Sequence, residues 1–376
     1  MGRVFNTTGV CIPEKHYMVN INGRLQQIKV LVDGGKYFTI NRARQYGKTT
    51  TLRALAEMLR DEYYVVLLDF QTFDNEKFSN GNVFSVAFAG SFLRVLRRNC
   101  KTMNNEMASV IDEMRKDADY ANRYFSLKEL FEGLSDICEA ADRKIVLMID
   151  EVDSAANNQV FIDFLAQLRA QYLDREFYPG FQSVILAGVY DIKNLKRKLR
   201  PEEGHRYNSP WNIAADFSIE MSFSESEIAG MLQEYESDHH TGMNISKMSE
   251  LLYAYTAGYP FLVSRICQLM DERVRDEYEN LKLVWTENGF NEAVRILLAE
   301  KNPLFESLVG KICDYPELSV MLKTLLFTGR NIAYNPDETS IDMAQMFGFI
   351  KNQNGNVVIA NRIFETRLYN YYLTEA

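Results

Sequence analysis

The chain has 376 residues, 47% of them hydrophobic and 25% charged, with 42 Lys and Arg against 51 Asp and Glu and a net charge of −9. At roughly 100–200 residues per domain this makes two or three domains with ample core material, so no disulfide or metal stapling is required. So acidic a chain is a poor candidate for wholesale binding of nucleic acid or of an anionic membrane, although a local basic patch is compatible with it.

Cys11, Cys100, Cys138, Cys267 and Cys313 are odd in number, far apart and form no CxxC, which argues against a disulfide framework or a zinc knuckle. His239 and His240 are adjacent and face different sides of a helix, so they read as surface residues. No apolar run approaches the ~20 residues of a membrane span. The opening Met1-Gly2-Arg3-Val4-Phe5-Asn6 has no signal-peptide core, and Asn6 stands where a myristoylation site wants Ser or Thr. A reduced, cytoplasmic protein is expected.

In chain order, residues 1–30 carry a turn signal, Asn22-Gly23, between the runs Tyr17–Ile21 and Leu25–Val30, which predicts an N-terminal hairpin segment. Strands are expected at Lys36–Ile40, Tyr64–Asp69, Ile145–Ile149, Ser183–Ala187 and Phe217–Met221. Helices are expected at 48–60, Val83–Arg98 and Val160–Tyr172. Such alternation argues for an α/β fold with a parallel sheet covered on both faces, over residues 31–221. Residues 99–123 read as an exposed polar insertion. Ser224-Glu225-Ser226-Glu227 is a capping box that opens a helical block, 222–300. Residues 301–376 add helices at 317–327 and 339–347. The strands Phe349–Lys351 and Val357–Ala360 follow, about an Asn354-Gly355 turn, with a last helix from Asn361, in the pattern of a winged helix.

The most informative stretch is Ile40-Asn41-Arg42-Ala43-Arg44-Gln45-Tyr46-Gly47-Lys48-Thr49-Thr50, between a strand and a helix. Gly47-Lys48-Thr49 matches the end of the P-loop pattern, with Arg42 in place of its first glycine. Backbone N–H groups at a helix N-terminus cradle phosphate, helped by the helix dipole. Arg44, Gln45, Tyr46, Gly47, Lys48, Thr49 and Thr50 are the expected nucleotide-binding residues. Lys48 would reach the β- and γ-phosphates and the Thr49 hydroxyl would ligate Mg²⁺. About 100 residues on, the apolar run Lys144–Ile149 ends in Asp150-Glu151, a Walker B pattern. Asp150 is the expected second Mg²⁺ residue, through water, and Glu151 the general base for the attacking water. Loop and acidic strand end together point to ATP binding with Mg²⁺, and the glutamate favours hydrolysis over passive binding.

Several further segments resemble those of a known group. They are Leu68-Asp69-Phe70-Gln71, Leu186-Ala187-Gly188-Val189-Tyr190-Asp191, Ser209-Pro210-Trp211-Asn212-Ile213-Ala214, Gly258-Tyr259-Pro260-Phe261-Leu262-Val263 and Ile359-Ala360-Asn361-Arg362-Ile363-Phe364-Glu365. With the two motifs above, the chain resembles the AAA-ATPase-like family of prokaryotic ATP-binding proteins, on the AAA+/STAND side of the P-loop NTPases. The resemblance covers nearly the whole chain, and in that family the first P-loop glycine is often absent. It implies a P-loop NTPase domain, a helical lid and a C-terminal winged helix. It also implies a sensor 1 role for Asp191, packing of Pro260 on the nucleotide base, and a sensor 2 role for Arg265. Tyr17 would stack on adenine, or serve as a core residue. The basic run Lys193, Lys196, Arg197, Lys198 and Arg200 is either a source of a trans-acting arginine or a solvated face.

The helix Thr339–Phe347 holds Asp342 and no Lys or Arg, and Asp337-Glu338 precede it, so a packing or regulatory role is favoured over DNA binding. The leading expectation is an ATPase that works as a nucleotide switch on a protein partner or on itself by self-association. A DNA-linked ATPase of transposition or phage defence, and a non-hydrolysing scaffold, are the alternatives. Relatives often continue into a PD-(D/E)XK nuclease-like domain. No such carboxylate–lysine set stands on a strand after residue 300, so no nuclease activity is expected from this chain.

Overall fold

The computed structural model describes residues 2–100, 103–189, 211–277 and 281–375. Two compact units emerge. One comprises Asn22–Asn41 and Thr51–Ile219; the other comprises Met1–Ile21, Arg42–Thr50 and Glu220–Ala376. The first 21 residues and the loop 42–50 fall in the same unit as residues 220–376.

The first unit is built on a parallel sheet of β3 (Phe38–Asn41), β4 (Tyr64–Asp69), β5 (Ile145–Asp150) and β6 (Ser183–Gly188), in the order β3-β6-β5-β4. Continuous apolar runs suit strands covered on both faces, and every residue of β5 and β6 is buried. Register sets Asp69 beside Asp150 and Asn41 beside Gly188, so the chemistry-bearing residues collect at the C-terminal edge of the sheet.

The helices of this unit are α1 (Asn22–Asp33), most of α2 (Lys48–Leu59), α3 (Gly81–Asn99), α4 (Asn105–Asp117), α5 (Leu127–Ala140) and α6 (Gln159–Leu173). A phenylalanine cluster fills one layer. Phe70 meets Phe161 at 5.9 Å, and Phe164 meets Phe84 at 5.3 Å and Phe88 at 4.9 Å. Each fully buried ring contributes about 1.5–3 kcal/mol. Trp211 is fully buried, with its indole N–H on Thr39 Oγ1 at 2.8 Å, so this residue anchors the core beside β3.

Three expectations are corrected here. No hairpin spans residues 1–30. β1 (Val4–Phe5) pairs in parallel with β2 (His16–Tyr17), and Asn22-Gly23 opens α1. Leu25, Ile28 and Val32 recur at helical spacing and are buried, and Asn and Gly serve a helix start as well as a turn. Phe217–Met221 is not a strand. Only Ala215 bridges Phe38, and the N–H groups of Met221 and Ser222 go instead to the Glu220 carboxylate, at 2.9 and 2.7 Å. Residues 99–123 are not a bare insertion, since Met107, Ile111 and Met114 on one face of α4 join the core.

In the second unit the capping box forms as expected. Ser224 caps the helix Glu225–His239 and Glu227 reaches back to its N–H. Further helices are Ile245–Thr256, Pro260–Leu269, Glu287–Ala299, Pro303–Asp314, Pro316–Phe327, Thr339–Met346 and Arg362–Glu375. The hairpin β7 (Ile350–Gln353) and β8 (Asn356–Ile359) turns at Asn354 and Gly355, whose φ of 53° and 81° is the pattern of a type I′ turn. All five cysteines are free.

Candidate nucleotide-binding site

The loop Arg42–Gly47 leads into α2, which starts at Lys48. Its left-handed positions are Gln45, at φ 57°, and Gly47, at φ 79°. Arg42 is not among the residues of positive φ, so the absent first glycine costs the backbone nothing. A Cβ added to Gly47 would meet nothing within 4 Å, which leaves open the hollow a phosphate needs. Gln45 Oε1 is buried without a hydrogen-bond partner, a further polar vacancy in the same loop. Lys48 is 7% exposed, and its Nζ donates to the carbonyls of Arg42 at 2.9 Å and Ala43 at 3.0 Å. The ammonium is thus folded back onto the loop's own carbonyls. These features fit a nucleotide triphosphate.

The loop is held by residues of its own unit. Tyr259, buried, donates its hydroxyl to the Arg44 carbonyl and sets its ring edge-on to Tyr46 at 4.6 Å. The Tyr46 and Ser222 hydroxyls lie 2.6 Å apart, and Thr50 Oγ1 accepts from the Cys11 N–H at 3.2 Å. Gly348 packs so closely that a Cβ there would come within 2.8 Å of Ala43 Cβ. Gly258 has φ 72°, and a Cβ there would overlap the Phe223 carbonyl oxygen. Pro260 occupies the first turn of the next helix, where its missing N–H is harmless. The Gly258-Tyr259-Pro260 motif is therefore a tight entry into that helix, and Tyr259 is the residue of the motif that touches the loop.

At the sheet edge, Asp150 is 4% exposed and accepts the Glu151 N–H at 2.9 Å. Glu151 takes φ 52°, ψ 42°, left-handed for a residue with a side chain. Asp150 is a hard oxygen donor of the kind Mg²⁺ prefers, as is the Thr49 hydroxyl at the second residue of α2.

Two expected site residues are engaged elsewhere. Tyr17 is no adenine platform. It is 2% exposed, donates to Asp238 at 2.8 Å, packs on Phe5 and Tyr235, and carries the Arg3 guanidinium over its ring at 4.7 Å. Arg265 is engaged in an ion pair. Its fork pairs with Glu300 at 3.0 and 2.6 Å and with Gln268 at 2.7 Å. Tyr190, Asp191 and the basic residues between Lys193 and Arg200 lie outside the described residues. No group of metal-ligating side chains typical of a structural site occurs among the described residues, and no described helix is long and apolar enough to cross a membrane.

A parallel sheet with its acidic strand end, and a Gly-Lys-Thr loop opening a helix, define a P-loop ATPase domain of the AAA+ kind. The AAA-like domain family matches residues 12–375, and the chain belongs to that family. A solved structure, the Walker-type ATPase PABY2304 of Pyrococcus abyssi, is similar in fold over 97% of this chain and 99% of its own, with 13% identity and a TM-score of 0.64. Cdc6p of Pyrobaculum aerophilum matches over 98% of each chain, with 14% identity and a TM-score of 0.44. The ADP form of the ORC2 protein of Aeropyrum pernix covers 99% of this chain and 97% of its own, with 11% identity and a TM-score of 0.48. These last two are too distant in shape to bear on this chain. No curated protein matches the sequence.

Proposed function

We propose that the chain binds ATP with Mg²⁺, hydrolyses it slowly, and uses nucleotide state to switch the C-terminal half between arrangements that a protein partner, or a second copy, distinguishes. The observation that carries this reading is the loop itself. Open space stands over Gly47, the Lys48 ammonium sits inside the cradle, and Tyr259 and Gly348 press on the same nine residues. A phosphate group entering the hollow draws Lys48 off the Arg42 and Ala43 carbonyls. That displacement strains the backbone Tyr259 holds, and the Pro260–Leu269 helix is told which nucleotide is present.

In this reading Thr49 and, through water, Asp150 hold Mg²⁺, which neutralises charge on the phosphate oxygens. Glu151 accepts the proton of the attacking water. Residues 222–300 act as the lid and 301–376 as the winged helix. The acidic approach to Thr339–Met346 argues for packing or regulation by that segment rather than for DNA. The test is calorimetry on Lys48→Ala, with turnover measured on Glu151→Gln. Lys48→Ala loses charge-assisted contacts of about 1.5–3 kcal/mol each, tenfold or more in ATP affinity, while remaining folded. Glu151→Gln retains Mg·ATP and loses about 10²–10⁴ in rate. Unchanged affinity in folded Lys48→Ala removes this reading. Stimulation of wild-type turnover by DNA replaces the protein partner with a DNA-linked one.

A further inference from the structure

The turn after β5 is pinned on both sides. Glu151 sits in a left-handed conformation that costs an ordinary L-residue roughly 1–2 kcal/mol and persists only where its surroundings dictate it. Its carbonyl accepts from the Ser154 N–H at 3.1 Å and lies 2.9 Å from Ser154 Oγ. The same hydroxyl is 3.0 Å from the carbonyl of Phe70, the residue after β4. Asp153 turns the other way. Its Oδ2 accepts the Val189 N–H at 2.6 Å, just past the end of β6. Gly188 makes that approach possible, because a Cβ there would come within 2.8 Å of Asp153 Oδ1 and 2.9 Å of Val152 Cγ2. Since β6 and β4 flank β5, the short helical turn Val152–Ala155 is tied to both neighbouring strand ends.

We propose that Asp153 is a positioning residue: by fastening the turn to the end of β6 opposite the Ser154 anchor, it holds the backbone of Glu151 in its left-handed conformation and so aims the Glu151 carboxylate. The inference rests on the reading of Glu151 as general base. It adds that the aim of that carboxylate is built into the sheet edge. A carboxylate is suited to the task because it accepts a hydrogen bond from a backbone N–H that no strand partner satisfies, and an ionised acceptor makes that bond about twice as strong as a neutral one.

The experiment compares Asp153→Ala and Asp153→Asn with wild type in four measurements: ATPase kinetics, ATP affinity by calorimetry, melting temperature, and amide exchange over residues 183–189. Asp153→Ala is expected to lower kcat by about 10- to 10²-fold, as an ångström of misplacement does. KM and ATP affinity stay unchanged and exchange at Val189 rises. Asp153→Asn, whose Oδ1 still accepts that N–H, retains most of the turnover and protection. Wild-type kcat in Asp153→Ala, an equal loss in both variants, or a matching loss of ATP affinity overturns the proposal. Should Asp153→Ala not fold, Gly188→Ala decides, since it drives a methyl against Oδ1. A lowered kcat at unchanged affinity supports the proposal and wild-type kcat overturns it. A wild-type protein that binds ATP without turnover instead removes the hydrolysis reading, and the proposal with it.

Discussion

Glu151 shows how a single residue records a compromise. A left-handed backbone is tolerated best by Gly and Asn, and Glu is a poor choice for it on stability alone. Replacing it with Asn relieves strain while removing the carboxylate. Glu151→Asn is therefore expected to raise stability by several tenths to about 1 kcal/mol in a denaturant titration, and to abolish turnover. A less stable variant means that the surrounding hydrogen bonds, and not the turn, set the energy. Gln45 and Gly47 make the same point in the phosphate loop. The pattern in the sequence drew attention to Arg42, but the backbone needs freedom three and five residues later.

Among the elements, the entry to the Pro260–Leu269 helix has the least room. Gly258→Ala meets both a positive φ and overlap with the Phe223 carbonyl oxygen, so it is expected to cost more than about 2 kcal/mol, read as a fall in denaturant midpoint at unchanged slope. Tyr259→Phe keeps the ring between Tyr46 and Phe364, at 4.6 and 5.3 Å, and loses only the hydroxyl on Arg44. The expected loss is about 0.5–1.5 kcal/mol, with faster amide exchange confined to residues 42–47. Exchange that rises elsewhere and not in the loop denies Tyr259 its hold. The element boundaries from Tyr64 to Asp69 and from Ile145 onward were legible as sequence because buried parallel strands are unbroken apolar runs. The α1 segment was not, because a two-residue Asn-Gly signal serves a hairpin and a helix start alike, and only the burial of Leu25, Ile28 and Val32 decides between them.

Across the whole molecule, carboxylates held in the charged form set the acid limit of stability. Burial raises the Glu220 carboxyl, but the N–H and hydroxyl of Ser222, the Met221 N–H and the charge of Arg42 together bring it below the ordinary value. Burial likewise opposes, and the Thr241 hydroxyl and the N–H groups of Gly242 and Thr241 overcome it, at Glu236. The Ser340 hydroxyl lowers Glu338, and the Ser126 hydroxyl lowers Glu129. A depressed folded-state value means stability that is complete above the unfolded value, about 4.3 for Glu, and is lost as pH falls through the folded values. Denaturant midpoints are expected to be flat in these groups' contribution between pH 7 and 5.5 and to fall progressively below about pH 4.5. A midpoint that rises on acidification contradicts the assignment.

The sequence by itself determined the class of fold, the four strands from β3 to β6, the strand–loop–helix passage at Gly47-Lys48-Thr49 and the acidic strand end at Asp150-Glu151. Each is local, written in apolar periodicity or in a short run of residues whose chemistry permits little else. Tertiary structure decided what depends on partners distant in the chain. Tyr17 faces Asp238 and Tyr235 rather than a nucleotide base, and Arg265 is engaged by Glu300. Tyr259 reaches the carbonyl of Arg44 across 215 positions, and Asp153 ties its turn to Val189. Spacing along a chain fixes which residues share a helix face or a strand edge, but a hydroxyl, a guanidinium or a carboxylate takes whichever partner folding brings within about 3 Å.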